Sequence, residues 1–358
     1  MSDHRTAVVF PGQGSQRPGM GKDFYDTIPV SRDTYNEASE TLGWDVGAMC
    51  FEEDERLNLT EYAQPCILAT EIAMFRGLQL PYDFDPEYFG GHSLGEYTAL
   101  VAAGVLPFSD ALIIVQTRGR LMQEATPVGM GGMAAVIAAG LDVQKVLRAL
   151  GDLPVDLAND NSADQVVISG ELSAIPEAEE RLRASIGDDP SFRFIPLNVS
   201  APFHSRFMGT IEGRFREVLQ NIETKLEPGN ANRVTSNFTG LFHSNDSSEI
   251  IGRMVSQLNN TVQWRKNMDA LAATGNSIFE VGPGRPLRGF FKTMNLECQS
   301  ITTFSGAQRV FERTGGSQKT VVTIGRRFLD PRFLTPCSRR ISAFPTAGTV
   351  LIRERVNA

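Results

Sequence analysis

Histidine, cysteine and tryptophan are all scarce in this chain of 358 residues, which has four, four and two of them respectively. The cysteines, Cys50, Cys66, Cys298 and Cys337, stand far apart, with no CxxC pair and no histidine-rich tract beside them. Such spacing matches none of the usual zinc-binding patterns, so no metal is expected and the thiols read as reduced and structural. Long apolar runs are missing too: no window approaches the roughly 18 to 20 consecutive apolar residues of a membrane helix. The first residues, MSDHRTAVVFPGQGSQ, lack the apolar core and small-residue cleavage site of a signal peptide. A cytoplasmic protein that does not engage a membrane is the expectation.

Positive charge is the minority sign, with 34 Lys and Arg against 42 Asp and Glu and a net charge of −8. The bulk of the chain therefore carries no electrostatic footprint for nucleic acid. Only the end differs. From Leu296 to Ala358 there are ten Lys and Arg against four Asp and Glu, which leaves 24 against 38 for residues 1–295.

What is present is enough apolar residue, 41% of the chain, for one large core or one core with a smaller satellite. Thr6 to Phe10 (TAVVF) is an apolar run stopped by Pro11 and Gly12, the pattern of a buried strand entering a tight loop. From Thr60 to Leu80 the spacing is helical, with the regular part expected to begin near Pro65. A weak strand, Glu87 to Gly90, precedes LGEYTALVAAG, which reads as a buried helix ending at Gly104. Ser109 and Asp110 then look like the cap of a helix running to about Ala125. Between Gly129 and Ser200 the elements read strand, helix, strand, strand, helix, strand, which is the ferredoxin-like order. A compact unit of that kind can be an insertion, with the segments from Ala201 to about Met294 returning to the first domain.

One motif carries chemistry. Gly91-His92-Ser93-Leu94-Gly95 fits GxSxG, in which a serine occupies a sharp strand-to-helix turn whose flanking positions are too crowded for side chains. The hydroxyl is then presented at a helix N-terminus, where free N–H groups favour developing negative charge. The fold class expected is α/β: a large α/β-hydrolase-like subdomain with a parallel sheet, formed by residues 1–128 and 201–295, an inserted ferredoxin-like small subdomain at 129–200, and a basic C-terminal extension of unknown role at 296–358.

A serine nucleophile needs a base. His92 adjoins Ser93, but neighbouring side chains at such a turn point in different directions. His4 lies near the terminus, and His243, in the polar segment TGLFHSNDSSE, reads as a solvated loop residue. His204, in VSAPFHS after a predicted strand, is favoured by spacing, although a lone loop histidine is more often structural. No acidic third member stands out.

Eight segments in order, VVFPGQGSQRPGMG (8–21), QPCILA (64–69), GHSLGEY (91–97), TRGRLMQEA (117–125), ANDNSADQVVISG (158–170), VSAPFHS (199–205), QLNNTVQW (257–264) and FEVGPGRPL (279–287), resemble malonyl-CoA:acyl carrier protein transacylases and the acyltransferases of polyketide synthases. The resemblance covers roughly residues 5–295. It implies that Ser93 is acylated, that His204 is general base and later general acid, and that backbone carbonyls and a glutamine, here Gln257, orient the histidine. By itself Gln257 would read as a helix-surface residue. The resemblance also implies an oxyanion hole from the backbone N–H groups of Gln13 and Leu94.

A single arginine in a mostly apolar helix reads first as a surface residue. The resemblance instead places Arg118 in the acyl pocket, where its planar fork can bind a free carboxylate through two charge-assisted hydrogen bonds. The neighbouring Arg120 falls off the matched position. Phe203 stands where malonyl-selective relatives carry a bulky aromatic, which implies malonyl over methylmalonyl; taken alone it could simply be core. The implied substrate is malonyl-CoA, with no bound cofactor. The implied acceptor is the phosphopantetheine thiol of an acyl carrier protein, in fatty acid or polyketide biosynthesis, and a synthase is a further candidate partner. Two rivals stand beside this expectation, an acyl hydrolase on the same scaffold and a catalytically idle docking subunit. The basic extension, with strand-like KTVVTIGRRF and AGTVLIRERV, matches no family motif.

Overall fold

The computed structural model describes residues 5–127, 129–199 and 201–313. Eight strands are described among them: β1 (Thr6–Phe10), β2 (Tyr88–Gly91), β3 (Gly131–Ile137), β4 (Val155–Ser162), β5 (Gln165–Glu171), β6 (Arg193–Pro196), β7 (Ser277–Val281) and β8 (Cys298–Ile301). They form two four-stranded sheets, in the orders β2-β1-β7-β8 and β4-β5-β3-β6. This bears out the α/β class.

β1 is interior to the first sheet, paired in parallel with β2 from Ala7↔Tyr88 to Phe10↔Gly91 and with β7 from Thr6↔Ser277 to Val9↔Glu280. Its side chains divide between two cores. Val8 and Phe10 join the main cluster, while Ala7 and Val9 pack with Trp264, Met268 and Phe291 on the other face. A strand covered on both faces requires a continuous apolar run rather than alternation, and TAVVF supplies it. Because every pairing in this sheet is parallel, the carboxyl ends of β1, β2 and β7 share one edge, where loops of α/β sheets gather. The loops there are in contact: a Cβ added at Gly12 would fall 2.4 Å from the His92 carbonyl oxygen, and one at Gly282 2.6 Å from the Pro11 ring.

Three expectations are corrected. The helix expected from near Pro65 spans Thr60–Tyr82, since a proline in the second turn removes only the bond to the carbonyl of residue 61, and burial on nearly all sides offsets that loss. The next long helix spans Phe108–Glu124, so Ser109 and Asp110 lie within its first turn instead of capping it. The boundary expected at 295 is too early. β8 pairs in parallel with β7, and the helix Phe304–Arg313 follows, with Phe304 edge-on to Phe24 and Phe311 stacked on Phe279. CQSI is too short and too polar a strand to stand out in sequence. The rest of the extension, 314–358, with both strand-like segments, lies outside the described residues, as does His4.

The second sheet is antiparallel and follows the expected order, with the helices Val143–Leu150 after β3 and Ile175–Ile186 after β5. Its alternation is clean. Ala134, Val136, Val166 and Ile168 enter a small core with those helices, whereas Met133, Ala135 and Val167 belong to the main core. No helix among the described residues is long and apolar enough to cross a membrane.

Candidate active site

Ser93 occupies the turn between β2 and the helix Gly95–Ala102. A Cβ at Gly91 would come within 2.0 Å of the Gly95 backbone, and one at Gly95 within 2.1 Å of the Phe10 carbonyl oxygen, so neither position admits a side chain. The turn is closed by Gly95 N–H donating to His92 O at 2.9 Å, and it holds Ser93 at a φ of 51°, in the left-handed region. For a residue with a side chain this conformation costs of order 1–3 kcal/mol, which surrounding contacts must offset. One of them is the Asn237 side chain: Oδ1 accepts from Ser93 N–H at 2.6 Å, and Nδ2 donates to Gly91 O at 2.8 Å.

The Ser93 hydroxyl meets His204, with Oγ 2.7 Å from Nε2. His204 is also left-handed, at a φ of 57°, and its Nδ1 lies 2.8 Å from the Gln257 carbonyl oxygen. A carbonyl can only accept, so Nδ1 carries the proton and Nε2 offers its lone pair to the serine. Burial, and after it the positive charge of Arg118, push the imidazole down from its ordinary 6.5 to about 3, so it stays neutral and able to take a proton. A carbonyl stands where a triad would place a carboxylate, in keeping with the acid missing from the sequence.

The other histidines face elsewhere. His92 Nε2 is 2.8 Å from Asn161 Oδ1, and its ring packs edge-on to Trp264 at 5.7 Å. His243 is not the solvated loop residue expected. It is 3% exposed, with Nε2 2.8 Å from Glu96 Oε1, because the loop folds back over the buried helix that follows Ser93.

Arg118 is 1% exposed, so the surface reading fails, whereas Arg120 is exposed. Its Nη2 donates to Ser93 Oγ at 3.1 Å and to Gln257 Oε1 at 2.9 Å, and Nη1 donates to Gln64 Oε1 at 2.9 Å. The guanidinium lies 5.2 Å from the centre of the Tyr97 ring. A cation this close to the serine oxygen is placed to meet an acyl group attached there. Gln257, which alone would read as a surface residue, is buried and joins both sides of the site: its carbonyl holds His204, its Oε1 holds Arg118, and its Nε2 donates to Ser93 O at 3.0 Å and Glu96 Oε2 at 2.7 Å.

Of the remaining expected residues, Leu94 is buried and immediately precedes the helix, while Gln13 is exposed in the loop after β1, with its side chain bonded to Thr60 at 3.2 Å and Gln64 at 3.5 Å. Phe203 is 7% exposed and packs in the main core beside His204. Four residues escaped the sequence analysis: Asn237, Glu96, Gln64 and Asn161. Glu96, Gln64 and Asn161 lie inside segments that matched the family, so those segments held the available signal. Asn237, in SNFTG, had none. Among the described residues no group of three or more His, Cys, Asp or Glu could hold a metal ion.

A family model described as acyl transferase domain matches residues 7–283. The chain belongs to the acyl transferase family. More narrowly, it is 37% identical over 305 residues to the malonyl CoA-acyl carrier protein transacylase of Bacillus subtilis, an alignment covering 83% of this chain and 92% of that one. Solved structures agree. An acyl-carrier-protein S-malonyltransferase from Burkholderia pseudomallei superposes with a TM-score of 0.79 at 35% identity, covering 86% of this chain and 99% of that one. A malonyl-transacylase in complex with a type II PKS acyl-carrier protein does so with a TM-score of 0.78 at 34% identity, covering 86% and 99%.

Proposed function

We propose that the protein moves a malonyl group from malonyl-CoA to the phosphopantetheine thiol of an acyl carrier protein, in fatty acid or polyketide biosynthesis. One observation carries this reading: a buried arginine and a neutral histidine converge on the same serine oxygen, at 3.1 and 2.7 Å. The family relatives support it, as does the neighbour bound to a carrier protein.

The mechanism is ping-pong. Ser93 Oγ attacks the thioester carbonyl while His204 Nε2 takes its proton. The tetrahedral oxyanion is met by the backbone N–H groups of Gln13 and Leu94, donors worth about 3 to 4 kcal/mol each in comparable sites. The C–S bond breaks, and CoA leaves as a thiol with the proton from His204. A phosphopantetheine thiol then gives its proton to Nε2 and attacks the ester carbonyl, the C–O bond to Ser93 breaks, and Nε2 passes the proton to Ser93 Oγ. Arg118 holds the free carboxylate of the acyl group throughout, and Phe203 crowds an α-methyl branch, a distinction worth about 1–3 kcal/mol for one methyl. The reading keeps the cytoplasmic location expected from the sequence.

Incubation with malonyl-, acetyl- and methylmalonyl-CoA, followed by weighing the intact protein before and after adding a carrier protein, tests it. A malonyl adduct on wild type but not on Ser93→Ala, discharged to the carrier, is the expected result. No adduct refutes the transferase, and discharge to free malonate without transfer would instead establish the hydrolase.

A further inference from the structure

Two opposite charges are buried in the site with a single carboxamide between them. Glu96 is fully buried in the first turn of the helix Gly95–Ala102, and Arg118 is buried beside Ser93. Glu96 Oε2 accepts from Gln257 Nε2 at 2.7 Å, and Gln257 Oε1 accepts from Arg118 Nη2 at 2.9 Å. The amide therefore turns its NH2 to the anion and its oxygen to the cation. Reversed, it would set oxygen against carboxylate and NH2 against guanidinium, and both bonds would be lost.

The carboxylate is held in turn. Asn237 N–H donates to Oε2 at 3.0 Å, and His243 Nε2 lies 2.8 Å from Oε1. His243 is 3% exposed, and its Nδ1 is buried with no partner among the described residues. A second ring proton would be buried without an acceptor, so the form that fits is neutral, with hydrogen on Nε2.

We propose that Glu96, held by His243, is the buried counter-ion and positioning residue for Arg118, acting through the Gln257 amide, and that this relay sets the preference for acyl groups with a free carboxylate. It rests on Arg118 being the carboxylate-binding group. A neutral side chain at position 96 leaves the guanidinium uncompensated and no longer dictates which end of the amide meets it. The placement of His204 does not depend on the amide, because the imidazole is held by the backbone carbonyl of Gln257 and not by its side chain.

The test is single-turnover loading of the full chain from malonyl-CoA and acetyl-CoA, read by mass, for wild type, Glu96→Gln, His243→Leu, His243→Gln and Arg118→Ala. Glu96→Gln should lower the malonyl-to-acetyl ratio about tenfold, malonyl loading falling by more than acetyl loading, as loss of a charged hydrogen-bond partner implies. His243→Leu should lower the ratio less, and His243→Gln, whose amide N–H can replace the Nε2 donor, should restore it. Equal loss of both acyl groups, or an unchanged ratio, overturns the relay. Should Glu96→Gln fail to fold, the two His243 variants decide by the same criteria. If Arg118→Ala keeps the wild-type ratio, the reading of Arg118 itself fails; if it loses the ratio while Glu96→Gln keeps it, only the relay fails.

Discussion

The Ser93 side of the site and the His204 side are put together differently. Around Ser93 the geometry comes from neighbours in the chain: two glycines without room for a Cβ, and a turn closed by a bond from Gly95 to His92. Around His204 it comes from afar, with Gln257 reaching the imidazole across 53 residues, and a distant group also steadies the Ser93 turn, where Asn237 reaches Ser93 N–H across 144. Covalent proximity makes the first side a sequence motif. The second exists only once the parallel sheet and its loops have folded, and it is made of polar groups whose meaning depends on what they meet.

The largest effect should come from the local side. Gly95→Ala forces a Cβ to 2.1 Å from a backbone oxygen of β1 that cannot retreat without breaking the sheet, so it should cost more than about 3 kcal/mol in chemical denaturation or give no folded protein. Gly252, inside the helix Ser247–Ser256, has nothing within 4 Å of an added Cβ. Gly252→Ala should therefore stabilise by about 0.5–1 kcal/mol, through helix propensity alone. Similar responses at the two glycines would mean that the crowding at Gly95 does not shape the turn.

The next contrast sets the distant side of the site against the second sheet. Asn237→Ala orphans Ser93 N–H, Gly91 O and an oxygen of Asn267, the last two in the interior. It should cost about 2–4 kcal/mol and also slow acylation per folded molecule by roughly tenfold or more. Leu182→Ala, in the separate core of the second sheet, should cost a similar 2–5 kcal/mol while acylation of the folded fraction stays within about threefold. Stopped-flow acylation beside urea titration separates the two quantities, and an equal slowing by both variants would erase the distinction.

Legibility follows the same division. TAVVF, the strand before GHSLG and the strand-helix order of the second sheet were visible because each obeys a local period or a steric rule. β8 was missed because CQSI has neither. His243 was misjudged because SNDSSE around it is polar, yet its ring turns inward to Glu96. Arg118 and Gln257 are ambiguous as single residues, and only the resemblance singled them out. What none of these patterns held was their mutual geometry, in which one glutamine serves the histidine with its backbone and the arginine with its side chain.

The subtlest expected effect is a pH profile that joins the two sides. With burial and Arg118 pushing the His204 imidazole down to about 3, the ring is unprotonated across the whole neutral range. kcat/KM for acylation, which reports ionisations of the free enzyme, should therefore show no fall near 6.5 and stay flat down to about pH 5. Burial is the first cause of the depression and Arg118 the second, so Arg118→Ala should raise the pKa part of the way back. Its acid limb, measured with acetyl-CoA, should lie above that of wild type. A wild-type midpoint near 6.5 would mean that water reaches His204 in solution. The same ionisation has a sign in stability: below about 6.5 the unfolded chain binds a proton that the folded chain refuses until about pH 3, so this residue's contribution declines as pH falls through that window. Replacing His204 by Gln should flatten the stability profile between those two values, and an unchanged slope would place the titrating group elsewhere.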